Sequence, residues 1–471
     1  MVSAATEKAE FQKYEKDWRK IDDLCFQNDV DQFLLTLNQS DLSEENKVRN
    51  RQYKDRAVYY NVIGQTYRGL VSAAFNKDPQ CELPPALEYL RENVDGKGLS
   101  IYQQAQAVTG DVIRKGRAGM FVTFPMLVDG QQASRAQMQS GEMTARIEHI
   151  DAKDIINWRT KRVGNQERVV LVVFRQYEDI GIGYDTDIRL FYRVLSIDDE
   201  TGDYLDLKYR LNDDRSFYLE QEARPRMANG QPWKEIPFIF VGSENNSEDV
   251  DYPPLMDLAE VNIGHYRNSA DYEDSVFYAG QAQPWASGLD RETYKLYKDE
   301  NIYIGSKFLM PVPAGEQFGF AVAPPNPMVR EAMKDKIDLM LNLGARLLQP
   351  GAGNKTATQV RTENAVSESV LGLIVSNVEE AYQIALGWCA DYMGADAGQA
   401  QFEMSRDFGV DVTDPAEIAQ MLAALMQGVI ATNDIRDWLR TKGFIAEDRT
   451  NEEIDQDMAG VLPIDGDSIT E

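Results

Sequence analysis

The stretch from about Thr356 to Met393 constrains the fold most. Its apolar residues Val366, Val370, Ile374, Val378, Ala381, Ala385, Trp388 and Tyr392 advance in steps of three and four, which is one face of a helix. At about 1.5 Å per residue an unbroken helix of that length reaches roughly 55 Å. This exceeds the width of a small domain, so it predicts an elongated subunit that packs against copies of itself. Gly372 and Gly387 are its candidate bend points.

The rest of the chain alternates between helical and extended character. The N-terminal stretch to about Arg56 reads as charged helix, broken at Asn38-Gln39-Ser40-Asp41. Tyr59 to Phe75 has helical spacing, and Ala86 to Asn93 reads as a short helix. Ser100 can cap a helix striped by Ile101, Ala105, Val108 and Val112, which Gly116 ends. Then come runs rich in Val, Ile, Phe and Tyr: Met120 to Val128, Ala145 to Ile150, Val169 to Arg175, Ile188 to Leu195, Tyr204 to Leu211 and Ile236 to Val241. Gly, Asn and Asp clusters separate them, so this is a β-rich region.

Past Gly242 helix returns, from about Leu255 to Tyr278 and again from about Met328 to Leu348. The second helix is striped by Met333, Ile337, Leu341, Gly344 and Leu348, and the proline-rich segment Gln283 to Pro327 separates the two. After a Gly/Pro loop and the long helical pattern, Gln401 to Val410 reads as a returning strand, and the C-terminus as helices with an acidic tail. The fold class is α+β.

Composition excludes several functions. The 77 acids against 49 bases give a net charge of −28, so a globally basic nucleic-acid coat is ruled out. The longest uncharged run, Ile418 to Asn433, is too short and too polar to cross a bilayer. Met1 to Arg19 has no apolar core of a secretory signal. Cys25, Cys81 and Cys389 are widely spaced, which fits a reducing compartment better than a disulfide or zinc framework. The expectation is a chain made in cytoplasm, with no metal and no cofactor.

No catalytic constellation stands out. The two histidines, His149 and His265, fall in a strand and a helix, where structural roles dominate. Gly351-Ala352-Gly353-Asn354-Lys355-Thr356 fails as a phosphate loop, because Asn354 stands where glycine must precede the lysine. Acid pairs such as Asp185/Asp187 and Glu248/Asp251 read as solvated faces in so acidic a chain.

One electrostatic anomaly remains. Residues 330–361 hold Arg330, Lys334, Lys336, Arg346, Lys355 and Arg361 against Glu331, Asp335 and Asp338, a surplus of +3 within a chain of −28. A basic loop between two helices can meet a polyanion. It can equally be an ordinary solvated helix face.

The order of these elements resembles a tailed-bacteriophage portal (head-to-tail connector) protein, of the short-tailed-phage type with a domain of unknown function. The residues that carry it are YNVIGQTYRGLVSAAF (Tyr60 to Phe75), then Pro79, then VDGKGLSIYQQAQAVTGDVIRKGRAGMFVTFP (Val94 to Pro125). They continue with DYPPLMDLAEVNIGHYRNSADYED (Asp251 to Asp274), Tyr303-Ile304-Gly305 before Pro311-Val312-Pro313-Ala314-Gly315, and NKTATQVRTENAVSESVLGLIVSNVEEAYQIALGWCADYMG (Asn354 to Gly394). The resemblance implies a portal fold: a wing over 1–250, a first stem helix over 251–278, a clip over 279–327 and a second stem helix over 328–348. A tunnel loop would follow at 349–356, a long kinked helix and returning wing strand at 357–410, and a helical crown with acidic tail at 411–471.

It also implies a non-enzymatic function. The subunit would form a homo-oligomeric ring, a dodecamer, at one capsid vertex of a virion. Double-stranded DNA would pass through it, packaged by the large terminase and later ejected. Major capsid and scaffolding proteins and a tail adaptor would be the other partners, with no membrane. The residues expected to face the DNA are Gln349, Asn354 and Lys355, flanked by Lys334, Lys336, Arg346 and Arg361. The alternative readings are an acidic tail-associated glycan hydrolase, for which the 22 tyrosines and 6 tryptophans would supply stacking surfaces, and a virion connector without a DNA channel.

Overall fold

The computed structural model describes residues 4–125, 143–181, 183–212, 216–280, 283–288, 290–292, 295, 315, 317–321, 327–348, 369–406, 408, 433, 436–437 and 449–451. The chain divides into two units, Met1–Asp407 and Phe408–Glu471. In the second, the described residues 433, 436 and 437 are helical. The remainder concerns the first unit.

Its elements in order are α1 (Ala9–Phe26), α2 (Glu44–Arg56), α3 (Val62–Ala74), β1 (Gln80–Glu82) and α4 (Ile101–Lys115). Then follow β2 (Arg117–Thr123), β3 (Arg146–Asp151), β4 (Ile155–Val163), β5 (Gln166–Asp179), β6 (Ile188–Ile197), β7 (Tyr204–Leu211), β8 (Phe217–Ala223) and β9 (Phe238–Gly242). Last come α5 (Met256–Gly280), β10 (Gln283–Ser287), β11 (Gln317–Ala321), α6 (Pro327–Leu348), α7 (Val370–Met393) and β12 (Gln401–Glu403). Helix and sheet are thus mixed, as α+β requires.

The core forms where α4 and α7 cover a small sheet. Ser100 starts α4 through a capping box: its side chain accepts from the Gln103 amide, and the Gln103 side chain returns to the Ser100 amide. Gly116 ends α4 with φ +69°, and a Cβ there would come 2.8 Å from the Asp251 carbonyl oxygen. Glycine alone suits both demands. The chain enters β2 at the next residue, and every residue of β2 is buried. β2 lies between β3 and β9, antiparallel to both. β4 to β8 form a separate five-stranded antiparallel meander in sequence order. The region is therefore two sheets. β4 and β8 were not anticipated: Ile155–Val163 carries Asn157, Arg159, Lys161 and Arg162, and Phe217–Ala223 carries two glutamates.

The long helix needs a correction. Ser369 has extended backbone, φ −69° and ψ 158°, and its side chain accepts from the Gly372 amide. That is an N-cap, so α7 starts at Val370 and is about 36 Å long, not a continuous rod from Thr356. Gly372 belongs to the first turn and is no bend point in mid-helix. The stretch 351–368 lies outside the described residues. The returning strand is also shorter than Gln401 to Val410: Gln401–Glu403 pairs antiparallel with β1.

α5 and α6 form an antiparallel hairpin. Gln283 pairs with Ala321 just beyond α5 and just before α6, which turns the chain back along α5. The base of α5 is buried, with Asn262, His265, Tyr266 and Ser269 all inside. Its outer half is strapped to α2. Arg49 and Arg56 donate to Asp274 at 2.9 and 3.1 Å, and the Tyr53 hydroxyl donates to Asp271 at 2.7 Å.

Candidate nucleic-acid interface

Of the residues expected to face DNA, Lys334, Lys336 and Arg346 lie on α6. Gln349, Asn354, Lys355 and Arg361 lie outside the described residues. Pro327 opens α6, where its missing N–H costs nothing. Three lines of side chains then run along the helix.

The first line faces the rest of the subunit. Val329, Met333, Lys336, Met340, Leu343 and Leu347 recur in steps of four and three and are buried or half-buried. Gly344 packs on α3, where a Cβ would stand 3.3 Å from Thr66 Cγ2. This corrects the expected stripe. Met333 is half-buried, but the seam then runs through Met340, and Leu341 is 61% exposed. The apolar residues of α6 form two stripes, and composition alone does not say which one the subunit buries.

Lys336 belongs to that seam. Its Cε lies 3.1 Å from where a Gly264 Cβ would be, so its stem is laid along α5. Burial, with the Lys336 charge adding to it, holds the His265 imidazole below its usual range. Lys336 is thus turned toward α5, unlike Lys334 and Arg346, which are exposed. With Lys336 removed from the tally, the exposed charges of α6 are Arg330, Lys334 and Arg346 against Glu331, Asp335 and Asp338. That face is neutral. The surplus within α6 is thus Lys336 itself, while Lys355 and Arg361, the rest of the basic island's excess, lie outside the described residues.

Elsewhere the ionisable groups do structural work. Lys115 is fully buried among carboxylates: its Nζ lies 3.0 Å from Asp111, 2.6 Å from Asp151 and 3.6 Å from Asp22. Arg114 pairs with Asp22 and Asp111, and His149 Nε2 is 3.0 Å from Asp111 Oδ2. Burial opposes the charge on Asp111, but Lys115, His149 and Arg114 override it and hold the carboxyl far below its usual range. This cluster fixes α1 to α4 and β3, and the Trp18 indole adds a 2.9 Å bond to the Lys115 carbonyl.

The acid pairs are also occupied. Asp187 pairs with Arg189, Glu248 accepts from the Thr160 hydroxyl, and Asp251 accepts from the Glu244 amide at 2.7 Å. A cavity of about 600 Å³ is lined by Glu379, Glu380, Gln383, Phe402 and Glu403, among others. Glu379 accepts from the Met404 amide there, and Glu380 from the Asn246 side chain. Among the described residues no three His, Cys, Asp or Glu groups converge as metal ligands. No described helix is long and apolar enough to cross a membrane.

A family described as "Domain of unknown function (DUF4055)" matches residues 254–393. That span opens just before α5 and closes on the last residue of α7. No curated protein matches the chain. Among solved structures, one described as "Virion of native gene transfer agent (GTA) particle" is similar at 11% identity and a TM-score of 0.40, covering 88% of this chain and 93% of that one. Another, "Neck of empty GTA particle computed with C6 symmetry", is similar at 12% identity and a TM-score of 0.41, covering 86% and 91%. A third, "Neck of native GTA particle computed with C12 symmetry", stands at 14% and 0.40, covering 85% and 90%. These likenesses are looser than a shared fold requires.

Proposed function

We propose that this chain is a portal subunit: one of a ring of copies, a dodecamer, at a capsid vertex of a tailed-phage-type virion. A separate terminase drives double-stranded DNA through the ring and the DNA later leaves by the same route. The subunit itself performs no bond chemistry. Capsid and scaffolding proteins hold its outer rim and a tail adaptor docks on it.

The observation that carries this reading is the hairpin of α5 and α6. Two antiparallel helices stand on a compact mixed α/β body, with residues 281–326 inserted between them and α7 returning into the core behind. That is the succession of stem, clip, stem and long helix that the sequence resemblance implies. The charge balance of α6 suits the task. Each phosphate neutralised by a lysine or arginine adds a salt-dependent grip, and a sleeve that DNA must slide through needs little grip. The charges of α6 outside the seam balance and the chain as a whole is at −28, so α6 has no spare base with which to hold duplex along the stem. Retention then falls to the loop around Lys355.

The test is direct. Electron microscopy and light scattering of the purified chain should find rings with an open centre. A particle that stays monomeric at every concentration would remove the reading. Lys355→Glu should leave ring formation intact and weaken retention of packaged DNA. Unchanged packaging and retention would take the loop out of the mechanism.

A further inference from the structure

The seam of α6 uses up only one of its three lines. The other two are exposed apart from the half-buried Ile337, and they differ in charge. One consists of Arg330, Lys334, Ile337 and Leu341, in steps of four, three and four; its two charges are basic, with Asp338 at its border one turn on from Lys334, and Leu341 is 61% exposed. The other consists of Met328, Glu331, Asp335, Leu339, Asn342 and Arg346, in steps of three and four. Its first two charges are acidic, Arg346 stands alone at the far end, and Leu339 is 47% exposed. At 3.6 residues per turn these lines lie on opposite flanks of the face turned away from the seam.

A leucine on each flank is more apolar surface than this helix needs for its own subunit. The charges say what covers it. Two like flanks of parallel helices meeting across a two-fold axis that runs along them would oppose base to base or acid to acid. A basic-apolar flank meeting an acidic-apolar flank matches both charge and hydrophobicity. That is a heterologous contact, in which each copy offers one flank to each neighbour and the chain of contacts closes into a ring.

We propose that α6 of each subunit packs against α6 of the next through these two flanks: Leu341 with Arg330 and Lys334 on one side, Leu339 with Glu331 and Asp335 on the other. The occupant of both surfaces is a second copy of this chain. The leucines supply the burial. The charges select the head-to-tail arrangement over the parallel two-fold one. This rests on the ring reading and adds which residues make the ring.

Two variants test it. The first carries Arg330→Glu with Lys334→Glu, so that both of its flanks are acidic. The second carries Glu331→Lys with Asp335→Lys, so that both are basic. Each alone should remain monomeric by light scattering where the wild-type chain forms rings. Mixed one to one, they should assemble, because every junction again joins an acidic flank to a basic one, and the alternation closes whenever the copy number is even. Should either double variant lack cooperative unfolding, the single reversals Lys334→Glu and Asp335→Lys are mixed in the same way.

Rings formed by a folded reversed variant alone would overturn the proposal and leave the ring reading standing, with its contact elsewhere. Folded variants that fail to assemble on mixing would overturn it too. A wild-type chain that forms no oligomer would instead sink the ring reading.

Discussion

Two helices of this subunit are built on opposite principles. In α4, eleven of fifteen residues are buried, including the charged Asp111, Arg114 and Lys115. In α6, only Met340 and Gly344 of twenty-two are buried, and leucines stand in solvent. α4 satisfies its charges inside the fold and leaves nothing for an outside partner. α6 satisfies little inside and carries both charge and apolar surface outward. The first pattern belongs to a core that must hold whatever the subunit is doing. The second belongs to an element whose complement lies outside its own chain.

The largest test of this contrast is at the buried lysine. Lys115→Met leaves Asp111, Asp151 and Asp22 short of a cation whose side chain is fully buried among them. Removing one partner of a buried ion cluster costs about 3–5 kcal/mol, and urea unfolding should show a loss of that order. The effect must depend on pH. The Asp111 carboxyl is held below its ordinary value of 3.8, so its contribution is present above pH 4 and lost as pH falls through the folded value. Wild-type and variant should therefore converge in strong acid. A neutral-pH difference below about 1 kcal/mol would mean that α4 is not the fixed half of the comparison.

A second carboxylate in the same neighbourhood behaves in the reverse way. Asp154 is partly buried beside Asp151, and its pKa is raised to about 6 by burial first and by Asp151 second, with Arg175 and Lys153 opposing. The folded state holds this proton more tightly than the unfolded chain, whose value is 3.8. Stability from this group is therefore full below pH 4 and is lost as pH rises toward 6. Asp154→Asn should raise stability at neutral pH by about 1–2 kcal/mol, less whatever its neighbouring Arg175 gives up, with the gain vanishing near pH 4. A variant that is less stable than wild-type at pH 7 would show that the pairing with Arg175 at 3.5 Å outweighs burial.

The same contrast explains what could be read in the sequence. The cap at Ser100, the stop at Gly116 and the strand Tyr204–Leu211 were legible, because local backbone chemistry decides them. The rod from Thr356 was misread because apolar spacing continues across Ser369, while a serine hydroxyl at the cap outweighs spacing. β4 was missed because its lysine and arginines hide a strand whose apolar residues Ile155, Ile156 and Trp158 crowd one end. At the candidate site the basic island was visible, but the separation of Lys336 from the other charges of α6 was not. Charge is additive along a sequence, and only the fold shows that Lys336 lies in the seam along α5 while Glu331 and Asp335 share the exposed face with Arg330 and Lys334.

The smallest expected effect, that of Leu341→Ser, is sharpest when set against a substitution at the adjacent residue of the same helix. Met340 is fully buried in the seam and Leu341 is 61% exposed. Measured on the subunit at a dilution where light scattering finds single chains, Met340→Ser should cost about 2–4 kcal/mol, for the lost burial and the cavity left behind. Leu341→Ser should change that stability by less than about 0.5 kcal/mol, because most of the side chain is already in solvent. At higher concentration the order should invert: Leu341→Ser should weaken assembly, while Met340→Ser acts only through the folded fraction. Equal costs in the dilute subunit would mean that this flank is already covered by its own chain, and the distinction drawn between α4 and α6 would disappear.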